Sequence, residues 1–262
     1  MSPPVAIVTG AARGIGAAVA VLGARAGWQM VLVDSCADDP NLPYPMATEA
    51  DLEATVAACA GHAVPLVGDV RSQSALDGAV TLAVEEFGGL DIAVAAAGVV
   101  GGGPTAWATD DALWDTVLDV NLGGVRRLAR AAVPALLERP RPRSGRFVAV
   151  ASASSTVGLP RLSAYAAAKH GVVGFVRSLA AELGPDGVTA NAVAPGSTRT
   201  EGLAASAAIY GLESQDEFVV HHLDPRLLEP SEIAEAVVWL CSPASSGITG
   251  ALIPVDAGMT AR

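Results

Sequence analysis

The sequence predicts an α/β fold: a Rossmann-like, doubly wound parallel sheet of seven strands flanked by helices, in a single domain over residues 1–262. Three observations predict it. Short runs rich in Val, Ile and Ala alternate with longer Ala/Leu-rich stretches, the pattern of βαβ units. Most of the short runs are apolar throughout, as strands covered on both faces must be. The length of 262 residues, with 51% hydrophobic, 16% charged and 4% aromatic side chains, suits one core near the size at which single cores stop growing, roughly 250 to 300 residues.

The first strand, 5–9 (VAIVT), runs straight into a glycine turn and a helix over 15–25. A second apolar run gives a strand over 29–33 and ends at Asp34. The connection after it, 35–47, carries Pro40, Pro43 and Pro45 and far exceeds the roughly 2 to 6 residues of an ordinary βα loop. Thr48 with Asp51 starts a helix over 49–60. A strand over 63–67, a helix over 73–87 and a strand over 92–96 follow. The helical stretch 111–137 is broken near Asn121. Strand 146–151 leads to Ser152, and helix 164–183 carries Tyr165 and Lys169. After strand 188–193, residues 195–230 fit no regular element and mix small residues with Tyr210, Phe218, His221 and His222. Ser231 before Glu232 starts the helix 232–240, and 251–255 is the last strand. The two irregular stretches are long enough to be functional. They read as an insertion at about 35–47 and a substrate lid at about 197–228, one beside each end of a ligand, with His221 and His222 as exposed lid histidines.

With 16 Lys+Arg against 27 Asp+Glu the formal charge is −11, a field that repels phosphate polymers and anionic membranes, so neither nucleic acid nor membrane is an expected partner. Cys36, Cys59 and Cys241 are far apart and form no CxxC pair. Neither a disulfide framework nor a metal site is expected, and the thiols read as buried and reduced in a cytoplasmic protein. No basic segment leads into a long apolar stretch at the start of the sequence, so it reads as no secretory signal. The charge-free run 92–109 has the length of a membrane span, but Gly98, Gly101, Gly102, Gly103 and Pro104 interrupt it.

In the turn TGAARGIG, Gly10, Gly14 and Gly16 allow a tight bend, and the helix start behind them presents free N–H groups to a pyrophosphate. A glycine turn also serves plain strand-to-helix packing. Asp34 ends the second strand about 20 residues later, where a carboxylate accepts hydrogen bonds from an adenosine ribose; a solvated loop acid is the plainer reading. The same carboxylate repels a 2′-phosphate by about 4 kcal/mol at about 4 Å and an effective dielectric of 20. Arg13 pulls the other way, but the closer charge favours NAD over NADP.

Lys169 is the only lysine in the chain; arginine supplies every other cation among the 16. Tyr165 lies one helical turn before it, which stacks the two on one face. A phenol with pKa near 10 must approach about 7 to exchange protons at neutral pH, a change of about 4 kcal/mol. An ammonium about 4 Å away supplies that much at an effective dielectric of 20. Ser152 stands where a hydroxyl can hold a substrate oxygen, with Ser154 and Ser155 as alternatives and backbone satisfaction as the plainer role. Asn121 either anchors a water where it interrupts its helix or merely caps it. Because the glycine turn, Asp34, Asp69, residues 95–98, Ser152 and residues 195–196 each follow a strand, all of them fall along the one edge of a parallel sheet where open α/β folds bind ligands.

The chain closely resembles the short-chain dehydrogenase/reductase family over essentially its whole length. The resemblance rests on TGAARGIG at 9–16, Asp69 with Val70, AAAG at 95–98, Asn121, Ser152, YAAAK at 165–169 and PGSTRT at 195–200. It implies a catalytic tetrad of Asn121, Ser152, Tyr165 and Lys169, with Lys169 also on the nicotinamide ribose. It implies further cofactor contacts from Ile15, from Asp69 and Val70 to the adenine, from Ala97 and Gly98 by backbone, and from Pro195, Gly196, Thr198 and Thr200, the last to the carboxamide. AAAG replaces the family's usual NNAG, which puts the rigidity of that strand end in question. The stretch 33–52 is similar to the extra segment of mycofactocin-dependent members, which are thought to keep NAD bound and pass electrons to a separate carrier. The implied activity is hydride transfer between a secondary alcohol, or its ketone, and NAD, in a homotetramer. An ordinary NAD-dependent ketone or 3-oxoacyl reductase with freely exchanging cofactor is the alternative enzyme. A nucleotide-sensing protein without turnover is the alternative of another class.

Overall fold

The apolar runs do what continuous burial requires: all seven pair in parallel, in the order β3-β2-β1-β4-β5-β6-β7. The computed structural model describes residues 3–261. The strands are β1 (Val5–Thr9), β2 (Gln29–Asp34), β3 (Ala63–Val67), β4 (Ile92–Ala95), β5 (Arg146–Val150), β6 (Thr189–Pro195) and β7 (Leu252–Val255). The helices are α1 (Gly14–Arg25), α2 (Glu49–Ala58), α3 (Gln73–Phe87), α4 (Asp111–Leu118), α5 (Gly124–Glu138), α6 (Ser163–Leu183), α7 (Glu201–Tyr210) and α8 (Pro230–Leu240). The expected fold class is the observed one.

Alternation along the strands divides the core in two. Val5, Ile7, Val31, Val33 and Phe147 face Leu76 of α3, Leu128 and Leu136 of α5 and Val172 and Val176 of α6. Ala6, Val8, Met30, Leu32 and Val148 face Val19 of α1, Leu52 of α2 and Ile233 and Leu240 of α8. None of the helices is long and apolar enough to cross a membrane among the described residues.

Two expectations need correction. Residues 195–230 are not irregular throughout: they hold α7 and a 3-10 stretch, Gln215–His221, which together roof the sheet edge. The last helix starts not at Ser231 but with Glu229 as its cap, Pro230 in the first turn, and Glu232 accepting the Glu229 N–H at 2.8 Å. The break expected in 111–137 is present as a π-helical turn, Asp119–Gly123, which bulges Asn121 out of the regular ladder.

Candidate active site

The carboxyl edge of the sheet opens into one cleft of about 1060 Å³. Gly10, Arg13, Gly14, Ile15, Gly16 and Asp34 line one end of it; Ser152, Tyr165 and Lys169 line the other, and Gly98, Pro195, Gly196, Thr198 and Thr200 lie along it. Asp69, Val70 and Ala97 line a small adjoining pocket that shares Gly10, Asp34 and Gly98. Asn121 lines neither and stands buried behind the wall. A parallel sheet explains the convergence, since every strand delivers its last residue to the same edge.

The glycine end is built for close approach. Gly10 has φ +69°, and a Cβ there would sit 2.6 Å from the Ala97 backbone; one on Gly16 would overlap the Gly10 carbonyl. Arg13 precedes α1 without a side-chain cap, so the first-turn N–H groups have no partner from that residue and the helix end favours an anion. Asp34 accepts from Ala12 N–H at 3.0 Å and keeps its carboxylate on the cleft. These groups could hold a dinucleotide, the N–H cradle facing a diphosphate and the acid accepting from ribose hydroxyls.

Two of the expected cofactor contacts are engaged elsewhere. The Arg13 guanidinium donates to Pro45 O at 2.9 Å and fastens the insertion rather than reaching for a phosphate. Asp69 takes two donors of Arg71, Nε at 2.9 Å and Nη2 at 2.6 Å, while Arg71 Nη1 reaches the buried Asp39 at 2.7 Å. Burial alone would push the Asp69 carboxyl up, but the Arg71 hydrogen bonds and charge hold it below the usual range. The AAAG end is tied to the sheet without side-chain amides: Thr9 Oγ1 accepts from Ala96 N at 3.2 Å and Ala97 N at 3.3 Å. Asn121 donates to Val99 O and Val117 O at 2.9 and 2.8 Å, and accepts from Val99 N at 3.3 Å. Both its amide hydrogens are therefore committed to backbone. Thr200 caps α7, accepting from Leu203 N at 3.3 Å and donating to Thr198 O at 3.2 Å.

At the chemical end, β5 delivers Ser152 and α6 delivers Tyr165 and Lys169 on one face. Ser152 Oγ accepts from Ser154 N at 3.1 Å, and the hydroxyl lies against the Tyr165 phenol. The Lys169 ammonium does not sit at that phenol. It is buried, donates to Val150 O at 2.9 Å, and lies 5.7 Å from the Tyr165 ring centroid. Burial pushes Tyr165 above its ordinary value of 10.0, with the Ser152 hydrogen bond opposing, and brings Lys169 down to about 8. The expected lowering of the phenol by the lysine is thus not what this arrangement produces; Ser152 is the group that favours the phenolate.

One contributor carried no signal in the sequence. Tyr44, between two prolines of the insertion, reaches into the cleft, and its hydroxyl accepts from Val100 N at 2.9 Å. Burial pushes that phenol up to about 12. In the lid, Tyr210 and Phe218 pack edge to face at 6.0 Å, and Tyr210 donates to Pro160 O at 2.7 Å. His221 is exposed as expected and borders the cleft, but His222 is buried: its Nε2 accepts from Ser197 N at 3.0 Å and its Nδ1 donates to Arg226 O at 2.6 Å.

Known proteins are similar to this chain over nearly its whole length. The family described as "Enoyl-(Acyl carrier protein) reductase" matches residues 10–260. An uncharacterized oxidoreductase of Mycobacterium tuberculosis is 39% identical over 97% of this chain and 95% of its own length. The (-)-trans-carveol dehydrogenase of Rhodococcus erythropolis is 35% identical over 98% of both chains. Among solved structures, carveol dehydrogenase from Mycobacterium avium in complex with NAD superposes with a TM-score of 0.94 at 34% identity, covering 100% of this chain and 99% of that one.

Proposed function

The chain belongs to the short-chain dehydrogenase/reductase family, and on that premise we propose that it oxidises small, mainly apolar secondary alcohols, or reduces the matching ketones, with NAD. The observation that carries this reading is the presence of Ser152, Tyr165 and Lys169 on one cleft whose other end is the glycine cradle and Asp34. Bound NAD would supply the two-electron acceptor for the hydrogen that leaves the carbinol carbon. Gly10, Gly14, Ile15 and Gly16 would hold its diphosphate and Asp34 its adenosine ribose. Asp69, Val70, Ala97 and Gly98 would border the adenine; Lys169, Pro195, Gly196, Thr198 and Thr200 would border the nicotinamide half.

The protein's own groups then manage the proton. Tyr165, as phenolate, takes the proton of the substrate hydroxyl, while Ser152 holds the same oxygen. Lys169 passes the proton onward, and Asn121, held to the backbone of Val99 and Val117, positions the strand end behind the site. Replacing Tyr165 by Phe removes the acid/base group and should lower turnover about 100-fold or more. A Tyr165→Phe variant that turns over at the normal rate refutes the reading.

The finer assignment is that NAD stays bound and is reoxidised by mycofactocin. The insertion supports it: Arg13, Arg71, Thr116 and Val100 each fasten it across the cofactor end of the cleft. A strap already ordered loses little entropy on covering a ligand, which favours slow release. Retention of NAD through extensive dialysis, with turnover only in the presence of an electron carrier, is the expected result. Free exchange would make the protein an ordinary ketone or 3-oxoacyl reductase. We place the enzyme in the cytoplasm as a homotetramer paired through α5 and α6, which sedimentation at four times the 26.2 kDa chain mass would support.

A further inference from the structure

The insertion brings onto the cleft a polar group that the chemistry above does not use. Tyr44 lines the cleft and its hydroxyl accepts from Val100 N at 2.9 Å, which leaves the hydroxyl's own hydrogen without an acceptor among the described residues. Two fastenings place that hydroxyl. The next carbonyl along the chain, Pro45 O, is held by Arg13 of the glycine turn at 2.9 Å, and Val100 follows Gly98 by two positions. Gly98 in turn stands against the lysine, since a Cβ there would come within 3.4 Å of Lys169 Nζ. The phenol is therefore on the wall between the N–H cradle and Lys169, near enough to Arg13 and to Tyr165 to feel the charge of each. Burial pushes it up to about 12, so it keeps its hydrogen at neutral pH and can donate.

We propose that Tyr44 is a cofactor-binding residue whose O–H donates to a dinucleotide oxygen beyond the adenosine monophosphate half, on the second phosphate or on the ribose that follows it. The inference rests on the NAD reading above and adds a direct bond where the fastenings of the insertion supply only a cover. The stretch of a dinucleotide that joins a diphosphate cradle to the nicotinamide ribose is rich in oxygen acceptors, and a hydrogen bond to a charged phosphate oxygen is a strong one. The substrate is the poorer candidate, because a simple alcohol offers one oxygen and Ser152 and Tyr165 already share it.

The test titrates AMP, ADP, ADP-ribose and NAD by calorimetry into protein freed of nucleotide on charcoal, for the wild type and for Tyr44→Phe, which keeps the ring. Tyr44→Phe should bind NAD and ADP-ribose about tenfold or more weaker and AMP as the wild type does. The same loss with ADP assigns the bond to the second phosphate, and ADP unchanged assigns it to the ribose. Phe also deprives Val100 N–H of its acceptor, so a slackened insertion is the competing cause. Ser35, Ala37 and Asp39 of that insertion line the small pocket beside Asp34, so slackening would weaken AMP by the same factor. Equal losses with all four ligands, or a loss confined to NAD itself, overturn the inference. A variant that binds none of the four also overturns it, because the role of Tyr44 is then structural. NAD bound alike by both proteins overturns the inference and leaves the NAD reading standing, whereas a wild type that binds no NAD overturns that reading as well.

Discussion

Tyr165 and Lys169 are both displaced from their ordinary ionisation by the same cause, burial, and in opposite directions. With the phenol raised above 10.0, the phenolate is a minor species throughout the neutral range, and its fraction grows about tenfold per pH unit. Alcohol oxidation needs that phenolate, whereas ketone reduction needs the neutral phenol. We therefore expect kcat/KM for oxidation to climb with pH from about 6, at nearly tenfold per unit, and kcat/KM for reduction to stay level. The climb should ease above about 8, where Lys169 gives up its charge. Ser152→Ala removes the hydrogen bond that favours the phenolate, so the same climb should move to higher pH. Stopped-flow rates on NAD-loaded protein between pH 6 and 10 measure this, and a level oxidation profile would contradict it. The residue pair was legible in the sequence because four positions on a helix share a face. Its energetics were not, because the carbonyl that claims the ammonium, Val150 O, belongs to another element.

The insertion at 35–47 behaves as one element although it has no repeating structure. It is held by Asp39 to Arg71, by Asn41 to Thr116 at 2.9 Å, by Tyr44 to Val100 and by Pro45 to Arg13, and Leu42 is buried in the core. Asp39 is the keystone: 8% exposed, it also accepts Asn41 N–H at 2.9 Å, so one carboxylate both shapes the strap and ties it to the sheet edge. Replacing Asp39 by Ala should cost about 1–3 kcal/mol in urea unfolding and speed NAD release about tenfold or more. A fluorescence chase with excess competing dinucleotide reads the release rate; an unchanged rate would mean the strap does not retain the cofactor. The length and prolines of this segment announced a functional insertion, but its fastenings join residues 32, 75 and 56 positions apart, which no local pattern reveals. The lid failed differently. The α7 sequence EGLAASAAIY is apolar on nearly every side, so it carries no helical stripe, and its start is marked only by the Thr200 cap. At Pro230 the competing signal won: proline suits a first helical turn, which shifts the cap from Ser231 back to Glu229.

For the molecule as a whole, the sheet was the most legible feature, since strands buried on both faces must be apolar throughout, and parallel pairing then gathers the site along one edge whatever the loops do. Arginine pairing at the acid end and burial at the alkaline end set the pH range over which the fold holds. Asp69 and Glu232 lie below their ordinary values: Arg71 outweighs burial at Asp69, and Arg226 hydrogen-bonds Glu232 at 2.8 Å. An acid held low stabilises the fold above its unfolded pKa and loses that contribution as pH falls through the folded value, so stability should drop below about pH 4. At the other limit, burial raises Cys36 to about 11, Cys241 and Tyr44 to about 12, and Cys59 and Tyr165 in the same direction. An acid held high stabilises the fold below its unfolded pKa, near 9.0 for a thiol and 10.0 for a phenol, and that contribution is lost as pH rises toward the folded value. Lys169 works against this trend: its charge is disfavoured in the fold, so between about 8 and 10.5 its neutralisation adds stability. Burial also raises Tyr210 and lowers Arg146, so two bases face six acids, and the acids prevail. Urea midpoints from pH 3 to 11 should therefore form a plateau between about 5 and 9 with losses on both sides, and Lys169→Met should make the alkaline fall steeper by removing one opposing group. Midpoints that rise beyond pH 9 would show that the buried thiols and phenols ionise without opening the core.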